Sequence, residues 1–230
     1  MTEIETLKEA ARVRVAHLLP NTTFQDFDDL NARMLIAVTL LQRGEKELAY
    51  ELFATIASQG PQENENRHFA YVRSLVEMAE LDAEWERFAE AEARMAEGVA
   101  QFPESMNYMM SRTHLQVYLS YYRYRLGRQE EAHQQLEELI QQEEERFREL
   151  PPADGSNLVG PGLCYALHQR SLFFVEEGEW QQAVETFRRL RGYASYTDED
   201  GWKEAESLAE AGKWEAAYNR MVDSTTYDAA

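Results

Sequence analysis

The sequence predicts an all-α fold, a solenoid of about five antiparallel helix hairpins, and two recurring patterns predict it. The first is a short skeleton best seen at Gly178-Glu179-Trp180-Gln181-Gln182-Ala183-Val184-Glu185-Thr186-Phe187. It comprises a turn glycine, an aromatic or long side chain two residues on, an alanine, and a large apolar residue. The same skeleton returns at Gly44/Ala49/Phe53, Gly127/Ala132/Leu136 and Gly212/Trp214/Ala217/Met221, and once more at Phe88/Ala91/Met95 with Glu86 where the glycine should stand. The second pattern is a small residue seven positions before each turn: Ala37, Ala79, Ser120, Ser171 and Ala205. A small side chain there lets the two helices of a hairpin approach closely, facing the alanine of the second helix.

The elements follow in order. Glu3 to Leu19 carries Ile4, Leu7, Ala11, Val15 and Leu18 at helical spacing and stops at Pro20, which makes residues 1–20 a capping helix on the first hairpin. Asn21-Thr22-Thr23 reads as a turn, with Thr23 or Asn21 as N-cap of a first A helix over Phe24–Arg43. Its B helix runs over Glu45–Ser58 to Gly60-Pro61. The second pair spans Asn66–Leu81 and Glu84–Gln101, ending at Phe102-Pro103; the third spans Glu104–Leu126 and Gln129–Leu150. Pro151 to Gly162 then reads as a polar, glycine-containing loop, a mobile insert. The fourth pair is Leu163–Glu177 with Trp180–Leu190, and the fifth Asp198–Ala211 with Trp214–Val222. In whole units this gives one domain over 1–222, with repeats near 24–60, 64–103, 104–150, 161–192 and 198–222. Residues 223–230 are left as a flexible tail.

Taken as a set, the small residue, turn glycine, aromatic or long residue, alanine, large apolar residue and closing proline (Pro61, Pro103) resemble the tetratricopeptide repeat over about Phe24 to Val222. The resemblance implies a right-handed superhelix whose A helices line a concave groove. Turn-to-turn spacings are 42, 41, 51 and 34 residues, counted from positions 44, 86, 127, 178 and 212. Only the last equals the repeat's usual period of about 34 residues, so the chain looks like an elongated-repeat member. The fifth pair also lacks the solvating helix that usually follows. Its exposed end could be covered by the tail, by a missing domain, or by a second copy in a homodimer.

Composition narrows the function classes. The 230 residues carry 42 acidic against 23 basic side chains, a formal net charge of -19. That opposes binding to a phosphate backbone, so nucleic acid is not expected as a partner. Lysine is confined to Lys8, Lys46, Lys203 and Lys213. An acidic, lysine-poor surface fits a salt-rich cell interior, where self-repulsion is screened, and equally an arginine-biased genome. No apolar run approaches the roughly 20 residues a membrane span needs, and Met1–Ala10 does not read as a signal peptide. With one cysteine, Cys164, neither a disulfide framework nor a cysteine zinc site is available. The expected location is the cytoplasm.

The stretch Ser111 to Arg125 is the best functional candidate. At about 100° per residue, His114, Tyr118, Tyr121 and Arg125 share one stripe, while Leu115, Leu119, Tyr122 and Leu126 form a second that suits packing. In the repeat family the first stripe faces the groove, where tyrosine and arginine offer stacking area, hydrogen bonds and charge to a peptide or partner helix. The same spacing also suits packing tyrosines with surface hydroxyls. Equivalent positions are Arg73, Glu77 and Glu80 in the second A helix and Tyr165, Gln169 and Leu172 in the fourth, with His168 close by. Chaperone-tail-binding members clamp a C-terminal carboxylate with lysine and asparagine; here the first A helix offers Asn31, Met34, Leu35 and Val38, so that clamp is not expected. Cys164 and His168, four apart, could pair a thiol with a base, but nothing supplies an orienting group or oxyanion hole. The five histidines form no pair on neighbouring helical turns, so no metal site is expected. Gly155 to Gly162 lacks the lysine and hydroxyl residue of a P-loop, and no strand precedes it. The expected function is a non-enzymatic scaffold, without catalytic residues, metal or cofactor, that holds a protein or peptide segment through Arg73, His114, Tyr118, Tyr121, Arg125, Tyr165, His168 and Gln169. The alternative is a regulatory sensor that binds a small signal peptide or metabolite and changes superhelix curvature.

Overall fold

The computed structural model describes residues 2–107 and 109–227. Among them are twelve α-helices: α1 (Glu3–Val15), α2 (Leu30–Gln42), α3 (Lys46–Ala57), α4 (Glu65–Glu84), α5 (Phe88–Ala100), α6 (Arg112–Arg125), α7 (Gln129–Glu149), α8 (Pro152–Leu158), α9 (Gly160–Glu176), α10 (Trp180–Leu190), α11 (Glu199–Glu210) and α12 (Trp214–Asp223). Two short strands, β1 (Tyr196–Thr197) and β2 (Thr225–Thr226), pair antiparallel. The chain divides into two compact units, 1–112 and 113–230. Helical periodicity does not mark that boundary, because the hairpins on either side carry the same pattern.

Every predicted turn is built the same way. Gly44, Gly127, Gly178 and Gly212 sit at φ of 79°, 81°, 78° and 71°, the left-handed region in which a side chain is strained. At each, the residue after the turn donates its N–H five residues back: Glu45 to Leu40 (3.0 Å), Arg128 to Arg123 (3.1 Å), Glu179 to Phe174 (2.8 Å) and Lys213 to Leu208 (2.9 Å). This is the Schellman closure, which satisfies carbonyls that a helix end would leave unpaired. Glu86 adopts the same geometry without being glycine, at φ 60°, with Arg87 N–H donating to the Asp82 carbonyl at 2.7 Å. A left-handed L-residue costs about 1–2 kcal/mol, so Glu86→Gly should stabilise the first unit by about 1 kcal/mol after glycine's own entropy is counted. A denaturant midpoint that falls on this substitution would contradict the turn described.

The small residues do what their spacing predicts. Ala37, Ala79, Ser120, Ser171 and Ala205 are fully buried, as are the facing Ala49, Ala91, Ala132, Ala183 and Ala217. In the first unit α1 packs on α2 and α3, and α2 to α5 stack in sequence, closing a core of Ala11, Val15, Phe27, Ile36, Leu40, Leu52 and Phe53. In the second, α9 packs on α7 and α10, and α12 on α10 and α11, around Leu136, Ile140, Leu167, Phe173, Phe187 and Trp202.

Three segments differ from expectation. The first A helix starts at Leu30, not Phe24: Asp29 caps it, accepting from Asn31 N–H at 2.9 Å and Ala32 N–H at 3.4 Å. Residues 24–29 turn instead, because Phe27 is buried beneath the Arg33 guanidinium (5.1 Å) and its carbonyl accepts from Arg33 Nε. Residues 151–162 are not a loop but α8 and the first turn of α9. Their glycines serve close packing: a Cβ on Gly155 would stand 3.1 Å from the Phe147 carbonyl, and one on Gly162 3.1 Å from the Thr113 methyl. Residues 224–227 are held as well. Thr225–Thr226 pairs with Tyr196–Thr197, and Asp198 N–H donates to the Ser224 carbonyl at 2.8 Å. Residues 228–230 of the expected tail lie outside the described residues.

Candidate functional site

Two A helices of the second unit, α6 and α9, bring most of the sequence-predicted residues together. The His114 and Tyr165 rings stack at 4.8 Å with planes 20° apart, and Tyr118 meets Tyr165 edge-on at 6.0 Å. Tyr118 and Tyr121 both lean on the buried Tyr122, at 6.4 and 5.9 Å. One turn on, Arg125 lies over the Tyr121 ring at 5.9 Å and donates to its hydroxyl at 3.2 Å. The stripe expected at helical spacing is thus one half-buried aromatic surface that ends in an exposed guanidinium. The packing stripe also holds at Leu115, Leu119 and Tyr122, which are buried, whereas Leu126 is exposed.

The surface rests on a rigid floor. Tyr124, on the core side of α6, stacks on Phe173 of α9 at 4.0 Å with planes 5° apart, and its hydroxyl donates to the Phe173 carbonyl at 3.3 Å. Burial pushes the Tyr124 phenol up to about 12. Desolvation lowers the His114 pKa, so its imidazole is kept neutral as part of the aromatic ladder. On the outer side, α7, α9 and α10 are laced by Glu137, which receives both Arg170 and Arg189, and by Glu144, which takes Arg189 at 3.1 Å.

The remaining predicted residues behave differently. Gln169 follows Tyr165 by one turn of α9 and is half-buried. His168 lies beside it but is not open: it sits between Phe187 (5.4 Å) and Tyr227 (5.7 Å), both edge-on, and Nδ1 is hydrogen-bonded to the Tyr227 hydroxyl. Arg73 belongs to the first unit, where it pairs with Glu77 of its own helix at 2.6 Å. Glu77 is buried, not a free groove carboxylate. Sequence reasoning missed Tyr227, which lies 59 residues from His168 and carries no local signal.

The spacing of Cys164 and His168 yields no nucleophile. Cys164 is fully buried and desolvation pushes its thiol up to about 12, so at neutral pH it is not a thiolate. Among the described residues, no group of three or more His, Cys, Asp or Glu side chains could hold a metal ion, and no helix is long and apolar enough to cross a membrane.

The fold is that of the TPR-like repeat proteins, an all-α solenoid. A crystal structure of nearly identical TPR-like repeats, described as from a kinesin light chain of Podosopora anserina, superposes with a TM-score of 0.55 at 17% identity. The match covers 83% of this chain and 84% of that one. No protein-family model and no curated protein matches the sequence.

Proposed function

We propose that this chain is a non-catalytic interaction module that holds an extended peptide or partner segment against the α6–α9 face of its second unit. TPR-like folds commonly mediate protein–protein interaction. The observation that carries the reading is the His114–Tyr165–Tyr118 ladder with Arg125 clamped on Tyr121. Tyrosine and arginine are the residue types that dominate binding energy at protein interfaces. Here they are held by their neighbours before any partner arrives, which lowers the ordering cost of association.

Affinity capture from cell lysate, followed by titration of the purified partner, tests the proposal. Tyr121→Ala/Arg125→Ala should weaken binding tenfold or more, since truncating a central anchor typically costs at least about 1.4–2 kcal/mol. Tyr121 is half-buried at the edge of the core and Arg125 is exposed, so the helical circular dichroism spectrum should be retained. A partner bound equally by wild type and variant would move the working surface off α6.

A further inference from the structure

Beyond α12 the chain turns back onto the inner helices of the last two hairpins, and Gly201 in the first turn of α11 makes room for it. A Cβ at Gly201 would stand 2.1 Å from Ser224 Oγ. Thr225 and Thr226 form β2, and the side chains of Thr225 and Tyr227 meet α11 and α9 respectively. Thr225 Oγ1 accepts from the Trp202 indole N–H at 3.1 Å, and the Tyr227 ring packs edge-on against His168. Between them, the Thr226 carbonyl accepts from Ser195 Oγ at 2.9 Å, and the main chain pairs with β1. Burial pushes the Tyr227 phenol up to about 12, so it stays a neutral hydroxyl, hydrogen-bonded to His168 Nδ1.

This is the arrangement of a bound peptide: main-chain pairing along a strand edge, with pockets for alternate side chains. It also continues the aromatic face described above, since His168 follows Tyr165 by one turn of α9. It is held by a two-residue strand pair, a few hydroxyl bonds and one half-buried ring. We infer that His168 and the β1 edge form a tyrosine-binding subsite, filled in cis by Tyr227 and open in trans to an extended segment that carries a tyrosine, with the Trp202 indole N–H reading the residue two before that tyrosine. The inference deepens the groove reading and rests on it for the occupant's being a peptide. The tethered Tyr227 competes at an effective concentration set by its short connection, so an external segment binds only the fraction of molecules whose own tail has lifted.

The test is an NMR titration of the full chain with a synthetic peptide spanning Asp223–Tyr227, read at the Trp202 indole N–H and His168 imidazole resonances. Tyr227→Ala should bind the peptide at a concentration at least tenfold lower than wild type requires, and a peptide whose tyrosine is replaced by alanine should not saturate. Tyr227→Phe removes only the hydroxyl and should show a smaller gain; it decides the matter if the alanine variant does not fold. No saturable shift in a folded variant, or equal responses from wild type and variant, overturns the inference. A Tyr121→Ala/Arg125→Ala protein that loses no partner would sink the groove reading while leaving this titration unaffected, so the two fail separately.

Discussion

Trp202→Ala is expected to destabilise the second unit by about 3–5 kcal/mol, the range for removing a large buried aromatic side chain. Trp202 is 1% exposed and the largest fully buried side chain of the described residues. Its ring lies nearly parallel to Phe187 at 6.5 Å, the Arg191 guanidinium stands over it at 5.1 Å, and its N–H reaches Thr225. Truncation therefore leaves a cavity and removes the N–H that ties Thr225, after α12, to α11. Hydrogen exchange should localise the loss of protection to residues 113–227 and leave 2–107 unchanged, which a global unfolding signal cannot do when two units contribute. Trp202→Phe keeps most of the apolar area but loses the N–H, and should cost about 1–2 kcal/mol. An alanine variant within about 1 kcal/mol of wild type would mean that the site collapses freely and that Trp202 does not organise this core.

In the first unit Asp82 anchors a buried polar cluster. Its side chain is fully buried and takes Arg87 at 2.5 Å, Arg94, and the Tyr50 hydroxyl at 3.1 Å. The two arginines also cover aromatic faces, Arg87 over Trp85 at 4.5 Å and Arg94 over Tyr50 at 5.6 Å. Breaking a buried ion pair from one side typically costs about 3–5 kcal/mol because the orphaned charge stays buried. Here the Arg87 and Arg94 side chains remain 42% and 27% exposed and can regain water. Asp82→Ala should accordingly fall at the lower end, about 2–3 kcal/mol. The same cluster flanks the left-handed Glu86, so the substitution also loosens the one turn closed without glycine. The check is a double-mutant cycle with Arg94→Ala: the pair should cost clearly less than the sum of the single changes, and additivity would show that the contact contributes nothing.

The hairpins were legible because each is specified twice over a short span, by a residue that tolerates a left-handed turn and by a small residue where two helices meet. Even the glycine-free copy kept its place, since Phe88, Ala91 and Met95 fix the register around Glu86. What local pattern could not carry is anything decided by a distant partner. Phe24 to Asp29 has helical spacing, yet Arg33 reaches back to the Phe27 carbonyl and Asp29 takes the cap. The glycines between 151 and 162 look like flexibility until Phe147 and Thr113 are seen pressed against them. The same divide runs through the candidate site. His114, Tyr118, Tyr121 and Arg125 fall on one helix and could be read from period alone, and Tyr165 joined them through a matching position in a later copy. Helical period sets His168 on α9, but its covering by Tyr227 comes from a residue 59 positions away. Gly201, in the first turn of a helix where glycine has no propensity reason to stand, was the available hint of a returning chain.

The burial of Cys164 gives the molecule a built-in clock. The chain's single thiol lies at 0% exposure and holds its proton at neutral pH, so an alkylating reagent can act on it only while the surrounding helices have come apart. Because that thiol lies in the core of the second unit, its capture reports openings of that core.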